Sequence, residues 1–197
     1  MKILVACEYS GTVRDAFKKL GHDAWSCDLL QTDKPGNHFN CDVRDVLSKD
    51  WDLLIGHPPC TFLCNSGVCH LDTDKTRWKK MEEGARFFKM LWDSPIKKKC
   101  IENPIMHKYA KEIIGVSQSQ IIQPYQFGHM ETKATCLWLD NLPLLVPTDN
   151  VKEEMMKLPK NKRQRLHYLP PSPDRWKLRS LTYQGFADAM AAQWGKL

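Results

Sequence analysis

Short apolar runs alternate with amphipathic stretches over the first 140 residues of the chain. Two stretches carry apolar side chains at helical spacing: residues 12–23, with Val13, Ala16, Phe17 and Leu20 on one face, and residues 77–92. Six runs are typical of buried strands: KILVA, AWSC, WDLLIG, KKKCIENP, SQIIQPYQFG and KATCLWL. A further strand is predicted to end where CDVRDVL begins, between AWSC and WDLLIG. Alternation of this kind predicts an α/β fold with a mostly parallel sheet and helices on both faces.

The pattern changes after residue 142. From Pro143 to Arg179 the chain contains six prolines, no glycine and many basic residues, and QGFADAMAAQW then predicts a final helix. We therefore divide the chain into a core at 1–142, a short basic proline-rich segment at 143–181 and a C-terminal helix at 182–197 that packs back on the core.

Composition and charge narrow the class of protein. The chain has 29 Lys and Arg against 23 Asp and Glu, a net charge of +6 that suits an anionic partner. No apolar run approaches the ~18 residues of a membrane span, and the N-terminus MKILVACEYSG does not resemble a signal peptide. Eight irregularly spaced cysteines do not form a secreted disulfide pattern. We expect a cytoplasmic protein, in the host cytoplasm if it is virus-encoded. We expect it neither to bind a membrane nor to need a protein partner.

Polar residues follow several of the predicted strands. Ligands bind at the carboxyl ends of the strands in such sheets. The first strand ends in CEYSG, the second at Asp28 and the third at Asp42. A tight loop with two acidic strand ends is an arrangement that holds an adenosine cofactor, because carboxylates accept hydrogen bonds from ribose hydroxyls. Asp28 alone would fit a turn or a helix cap equally well.

A cysteine follows two prolines at the end of the fourth strand, in DLLIGHPPCTF. Proline fixes its own φ and restricts the preceding residue, so Cys60 has little conformational freedom. Such stiffness suits a nucleophile, although a lone cysteine is more often a small buried apolar residue. Glu102, at the next strand end in IENP, could be a cap or the proton donor that accompanies a Cys60 nucleophile.

These motifs, in this order, resemble those of DNA cytosine-5 methyltransferases, in particular short members of the bacteriophage type with a reduced target-recognition region. The likeness extends over almost the whole chain, and its most specific part is Pro-Pro-Cys followed 42 residues later by Glu-Asn. It rests on VACEYSGTVRDAF, SCDLL, CDVRDV, DLLIGHPPCTF, IENP, QFGHMETKATCLWL and TYQGFADAMAAQW. The resemblance implies a Rossmann-like, S-adenosylmethionine-dependent methyltransferase sheet.

The resemblance also implies roles for individual residues. The Cys60 thiolate would attack C6 of cytosine, Glu102 would protonate or hydrogen-bond N3, and Asn103 would order the Pro-Pro-Cys loop, with Lys133 as a further catalytic residue. Residues implied to hold S-adenosylmethionine are Cys7, Glu8, Tyr9, Ser10, Gly11, Asp28, Asp42 and Pro58. Residues implied to contact DNA, as a duplex or a single strand, are Pro59, Thr61, Glu131, Lys162, Arg163, Arg165 and Arg175.

The chain departs from this family at several positions. Cys7 to Ser10 replace most of the glycine-rich loop, Thr61 replaces a glutamine, and Glu131, Lys133 and Thr135 stand where Gln, Arg and Arg are expected. Fewer than forty residues replace a recognition domain that is often over a hundred residues long. We therefore expect little or relaxed sequence specificity. The basic segment, with Tyr168 and Trp176 among its charges, has the composition of a nucleic-acid surface.

Two other functions and one other site remain as alternatives. The same chemistry could act on a free pyrimidine nucleotide or single-stranded DNA, or the chain could be a non-catalytic binding relic of the fold. Cys60, Cys64, Cys69 and His70 lie within eleven residues but lack the paired spacing of a structural zinc site, so no metal is expected.

Overall fold

Seven strands form a single sheet in the computed structural model, which describes residues 1–197. The order is β3-β2-β1-β4-β5-β7-β6, with β1 to β5 parallel and β7 antiparallel to both of its neighbours. The strands are β1 (Lys2–Ala6), β2 (Asp23–Asp28), β3 (His38–Asn40), β4 (Leu53–Gly56), β5 (Lys98–Pro104), β6 (Gln120–Ile122) and β7 (Thr135–Asp140). This confirms the predicted α/β class, with a mostly parallel, Rossmann-like sheet.

Helices cover both faces of the sheet. They are α1 (Thr12–Lys19), α2 (Thr76–Trp92), α3 (Lys108–Ile114), α4 (Lys152–Met156), α5 (Lys160–Arg163), α6 (Arg175–Ser180) and α7 (Gln184–Trp194). Helices α1 and α7 pack together on one face, whereas α2 and α3 pack together on the other. Short 3-10 turns lie at Val43–Asp45, Asn65–His70 and Pro124–Gln126. None of the helices is both long and apolar enough to cross a membrane.

The central strands are apolar on both faces because helices bury both. In β1, residues 3–6 are fully buried, and β4 is buried along its whole length. The register pairs Gly56 with Ala6 on one side and with Ile101 on the other, so β1, β4 and β5 end at one edge. A Cβ at Gly56 would lie 2.8 Å from Cδ1 of Ile101, and glycine therefore permits this close packing.

The segment 143–181 folds onto the body of the protein. It contains α4, α5 and α6, and its buried side chains are Leu145, Met155 and Leu166. The backbone carbonyl of Arg163 accepts a 2.7 Å hydrogen bond from the Thr132 amide, which ties the segment to the loop before β7. These three short helices, and α3, have no counterpart among the elements predicted from the sequence.

Candidate active site

The loop after β1 is built around a buried carboxylate. Glu8 is 4% exposed, and its side chain accepts hydrogen bonds from the amides of Val13 (2.6 Å) and Arg14 (3.2 Å). These amides belong to the first turn of α1, where backbone donors have no partner within the helix. Burial raises the pKa of Glu8, and this effect outweighs the charge of His57 and the two hydrogen bonds, which lower it. The Glu8 side chain is therefore engaged by the protein itself.

Cys7 and Gly11 shape the same loop. Cys7 has a φ of 60° and Gly11 a φ of 70°, both in the left-handed region that non-glycine residues rarely adopt. A Cβ on Gly11 would clash with the Arg14 guanidinium, so both the backbone conformation and the space favour glycine there. The loop turns sharply enough to place Cys7, Glu8, Tyr9 and Ser10 along one cleft.

Arg14 connects the chain that follows β2 to the loop after β1. The residue is fully buried, and its guanidinium donates to the hydroxyls of Ser26 and Thr32 and to the carbonyls of Lys34 and Pro35. Its Nε also pairs with Asp15 at 2.8 Å. These contacts fix the chain that follows β2, and with it the position of Asp28.

The two predicted acidic strand ends have different surroundings. Asp28 lines the cleft beside Leu29 and Leu30 and accepts a 2.9 Å hydrogen bond from the Leu30 amide, and burial raises its pKa. Asp42 instead caps the turn at Val43–Asp45 and pairs with Arg44 at 3.1 Å. Asp42 is not among the residues that line the cleft.

The loop that carries Cys60 is fixed from the neighbouring strand. Asn103, at the end of β5 and 1% exposed, donates from Nδ2 to the Pro58 carbonyl at 2.9 Å. Its Oδ1 is buried and has no partner. Asn103 thus contacts the backbone of the Pro-Pro-Cys loop directly.

Cys60 and Cys64 form an interacting pair of thiols. The Cys64 amide donates to the Cys60 carbonyl at 3.0 Å, a single helical turn that brings both side chains to the cleft. A hydrogen bond from Cys60, with further bonds from Ser66 and the Gly67 amide, lowers the pKa of Cys64 to about 5. The same bond to Cys64, together with burial, raises the pKa of Cys60. Within the pair, negative charge is therefore favoured on Cys64.

Glu102 is bound to a histidine that we did not assign to the site from the sequence. His57, one residue beyond β4, lies with Nδ1 2.9 Å from Oε2 of Glu102. Burial would raise the pKa of Glu102, but the His57 bond and the charges of His57 and Lys133 outweigh it and lower this pKa. His57 lines the cleft, whereas Glu102 is not among the lining residues.

The basic segment forms one wall of the cleft. Tyr9 connects the two walls, since its hydroxyl lies 3.1 Å from the Ser180 hydroxyl and its ring centroid 6.1 Å from that of Trp176. Lys133 reaches the same wall, donating to the Arg179 carbonyl at 3.0 Å. The cleft has a volume of about 1040 Å³, and its lining includes Cys60, Thr61, Lys133, His167, Arg175, Trp176 and Arg179.

The structure separates the predicted site residues into three groups. Ten line the cleft: Cys7, Glu8, Tyr9, Ser10, Asp28, Pro59, Cys60, Thr61, Lys133 and Arg175. Gly11, Pro58, Glu102 and Asn103 lie behind these residues and contact them or their loops. Outside the cleft lie Asp42, Glu131, Lys162, Arg163 and Arg165. Glu131 accepts hydrogen bonds from Arg165 (2.7 Å) and Tyr183 (2.8 Å), so these side chains are paired with one another.

The sequence alone does not assign His57 or Cys64 to the site, and it places Arg179 only in the basic segment. His57 stands directly before the Pro-Pro-Cys motif, and its place beyond a strand end was a usable signal. The four-residue spacing of Cys60 and Cys64 was interpreted only as a possible part of a metal site. No group of three or more His, Cys, Asp or Glu side chains is arranged to hold a metal ion.

Comparison with known proteins finds similarity among solved structures. No family model matches the chain, and no curated protein matches it. Among solved structures, it is similar to one described as a candidate DNA modification methyltransferase encoded within a prophage of E. coli, with 13% identical residues and a TM-score of 0.46. The match covers 81% of this chain and 56% of that protein, so this chain spans little more than half of the relative's length.

Proposed function

We propose that the protein transfers a methyl group from S-adenosylmethionine to C5 of cytosine in DNA, through a covalent bond between Cys60 and C6 of the base. The observation that carries this proposal is the meeting of two parallel strand ends. Cys60 follows β4, while Glu102 and Asn103 end β5, and the Asn103–Pro58 hydrogen bond joins the two. A nucleophile and an acid held at neighbouring strand ends suit addition to a single small ring.

The chemistry of these residues follows from the weak nucleophilicity of C5. Cys60 passes its proton to Cys64 as its sulfur attacks C6. The attack places negative charge on the ring, and a proton from the Glu102 carboxyl to N3 neutralises it. C5 then has enamine character and is nucleophilic. C5 would take the methyl group and leave S-adenosylhomocysteine. Loss of the C5 proton to water, return of the N3 proton to Glu102 and release of the sulfur from C6 would then restore the aromatic ring and free Cys60.

The cleft offers a suitable place for S-adenosylmethionine. Its volume, about 1040 Å³, is slightly above the roughly 300–1,000 Å³ typical of small-molecule sites and leaves room for a base as well. Asp28 presents a carboxylate to ribose hydroxyls, while Tyr9, Leu29 and Leu30 provide apolar surface. When bound, the cofactor supplies an electrophilic methyl group. Because the Glu8 side chain is engaged with α1, backbone groups of residues 7–10 remain for the contacts from this loop.

DNA would reach the cleft past the basic wall. A base in a duplex must leave the stack before Cys60 can attack it. Arg175, Trp176 and Arg179 line the cleft and combine positive charge with an aromatic surface that is 52% exposed at Trp176. Such groups contact phosphates and unstacked bases.

A free pyrimidine nucleotide or a single strand is the second candidate substrate. The feature that favours it is the position of the basic segment, which folds over the cleft as a wall instead of extending outward as a separate recognition unit. A small or flexible substrate enters such a cleft without distortion of a duplex.

The test measures transfer of tritium from labelled S-adenosylmethionine to duplex DNA, single-stranded DNA and dCMP. We expect label at cytosine C5 with the wild type and none with Cys60→Ser. Cys69→Ser is the matched control, because Cys69 is exposed and does not line the cleft. The preferred acceptor decides between the two substrate classes. Transfer that survives in Cys60→Ser, or its absence with all three acceptors in the wild type, would contradict the proposal.

A further inference from the structure

His57 is a buried histidine with one partner and one unpaired nitrogen. Nδ1 lies 2.9 Å from the Glu102 carboxylate, whereas Nε2 is buried and has no hydrogen-bond partner. The side chain is 11% exposed, and that of Glu102 is 14% exposed. Burying a polar nitrogen without a partner costs free energy, so a packing role alone does not account for a histidine here.

Charged groups surround His57 from three elements. Glu102 approaches from β5, Glu8 from the loop after β1, and Lys133 from the loop before β7. Burial would lower the pKa of His57, but the Glu102 bond and the charges of Glu102 and Glu8 outweigh it and raise this pKa, with Lys133 acting in the opposite direction. The imidazole therefore keeps its proton to higher pH than an ordinary histidine.

We propose that His57 is a positioning residue that shares a proton with Glu102, so that the pair, and not Glu102 alone, acts as the acid toward N3 of the target pyrimidine. This inference rests on the proposed function. It assigns a role to a residue next to the Pro-Pro-Cys motif whose side chain lines the cleft beside Cys60.

The proton balance of the pair is simple. When the pair holds two protons, one lies on Nδ1 and is donated to Oε2 of Glu102. The second lies on Nε2 or on the free Oε1. From Oε1 it passes to N3 as Cys60 adds to C6, so the O–H bond breaks and the N3–H bond forms. The Nδ1–H group stabilises the carboxylate that is left, and the N3 proton returns to it when the sulfur leaves C6.

The first test compares pH profiles of methyl transfer. His57→Asn can keep a donor near Oε2 but cannot hold the second proton. General acid groups contribute roughly 10²–10⁴-fold, and we expect kcat to fall by about 10²-fold with KM little changed. We also expect the alkaline limb to move to lower pH, because a carboxyl group alone loses its proton before the pair does. The exposed His70→Asn variant is the control.

A second measurement is independent of any reaction. Histidine side-chain NMR should show His57 titrating above its ordinary value in the wild type and lower in Glu102→Gln, which removes the carboxylate. If Glu102→Gln leaves the His57 titration unchanged, or His57→Asn keeps the wild-type pH profile, the inference is overturned. If the wild type itself transfers no methyl group while His57 still titrates with Glu102, the proposed function fails and the pairing stands.

Discussion

The Nδ2 atom of Asn103 lies 2.9 Å from the carbonyl oxygen of Pro58, so the end of β5 holds the loop that carries Cys60. Asn103 is 1% exposed, and its neighbour Glu102 is bound to His57 at the start of the same loop. Two adjacent residues of one strand therefore fix two points of the loop after β4. A short rigid loop of this kind sets the direction in which the Cys60 thiol approaches a substrate.

Asn103→Ala should lower both stability and activity. Loss of the buried bond leaves the Pro58 carbonyl without its partner, which costs about 1–3 kcal/mol in the free energy of unfolding. A small shift of the loop also misplaces Cys60, and we expect about 10²-fold slower transfer. Urea unfolding and the tritium assay measure the two effects. A stable variant with full activity would show that the bond does not position Cys60.

Cys64→Ser should make Cys60 easier to ionise. In the wild type, the bond to Cys64 raises the pKa of Cys60, while the pKa of Cys64 is lowered to about 5. The serine hydroxyl carries no negative charge near neutral pH, so Cys60 should lose its proton at lower pH in the variant. The rate of iodoacetamide labelling of Cys60 against pH, followed by mass spectrometry, measures this. A labelling profile shifted to higher pH would contradict the coupling.

Arg14 should be among the most sensitive positions outside the proposed catalytic residues. Its buried guanidinium donates to two hydroxyls and two carbonyls, and its removal breaks these bonds and leaves a cavity between the two loops. We expect Arg14→Ala to cost about 3–5 kcal/mol in urea unfolding. Arg44→Ala is the matched control: its ion pair with Asp42 is exposed, and its loss should cost less than about 1 kcal/mol. Similar costs for the two variants would refute the structural role.

The sheet could be predicted because its signals are local. Both faces of β1 and β4 are buried, so these strands appear in the sequence as continuous apolar runs, and the amphipathic spacing of α1 and α2 is equally direct. Helix α3 lies between Asn103 and β6 and has only seven residues, so its pattern of apolar side chains is weaker. The helices of the basic segment are shorter still, and their stability comes from contacts with the core that the sequence does not display.

The candidate site could be predicted in part, for a similar reason. Positions at strand ends, such as Asp28, Cys60 and Asn103, follow from the alternation of elements. Side-chain partners do not: the Glu102–His57 bond joins residues 45 positions apart, and Asp42 carries the same local signal as Asp28 although it faces Arg44. The bond from the Val13 amide to the Glu8 carboxylate is likewise a partner that the sequence pattern does not display.

The buried Glu8 carboxylate gives a pH dependence with a definite sign. Burial raises its pKa in the folded protein above the ordinary value, so ionisation costs folding free energy as pH rises through that pKa. Glu8→Gln keeps an acceptor for the Val13 amide and removes the charge. We expect the stability of the variant relative to the wild type to improve from acidic to neutral pH in urea unfolding. Glu153→Gln, at an exposed position on α4, should show no such trend.

The basic wall should contribute to DNA affinity in a salt-dependent manner. Arg175 and Arg179 line the cleft, and each phosphate contact they make releases counterions on binding. The double variant Arg175→Gln/Arg179→Gln should bind a fluorescent single-stranded oligonucleotide more weakly, and its slope of log affinity against log salt should be smaller by about 1–2. The control is Lys18→Gln/Lys19→Gln, because these residues lie in the last turn of α1, at the opposite edge of the sheet. Affinity that falls equally in both variants would indicate a general effect of net charge, and an unchanged slope in the arginine variant would place the DNA elsewhere on the surface.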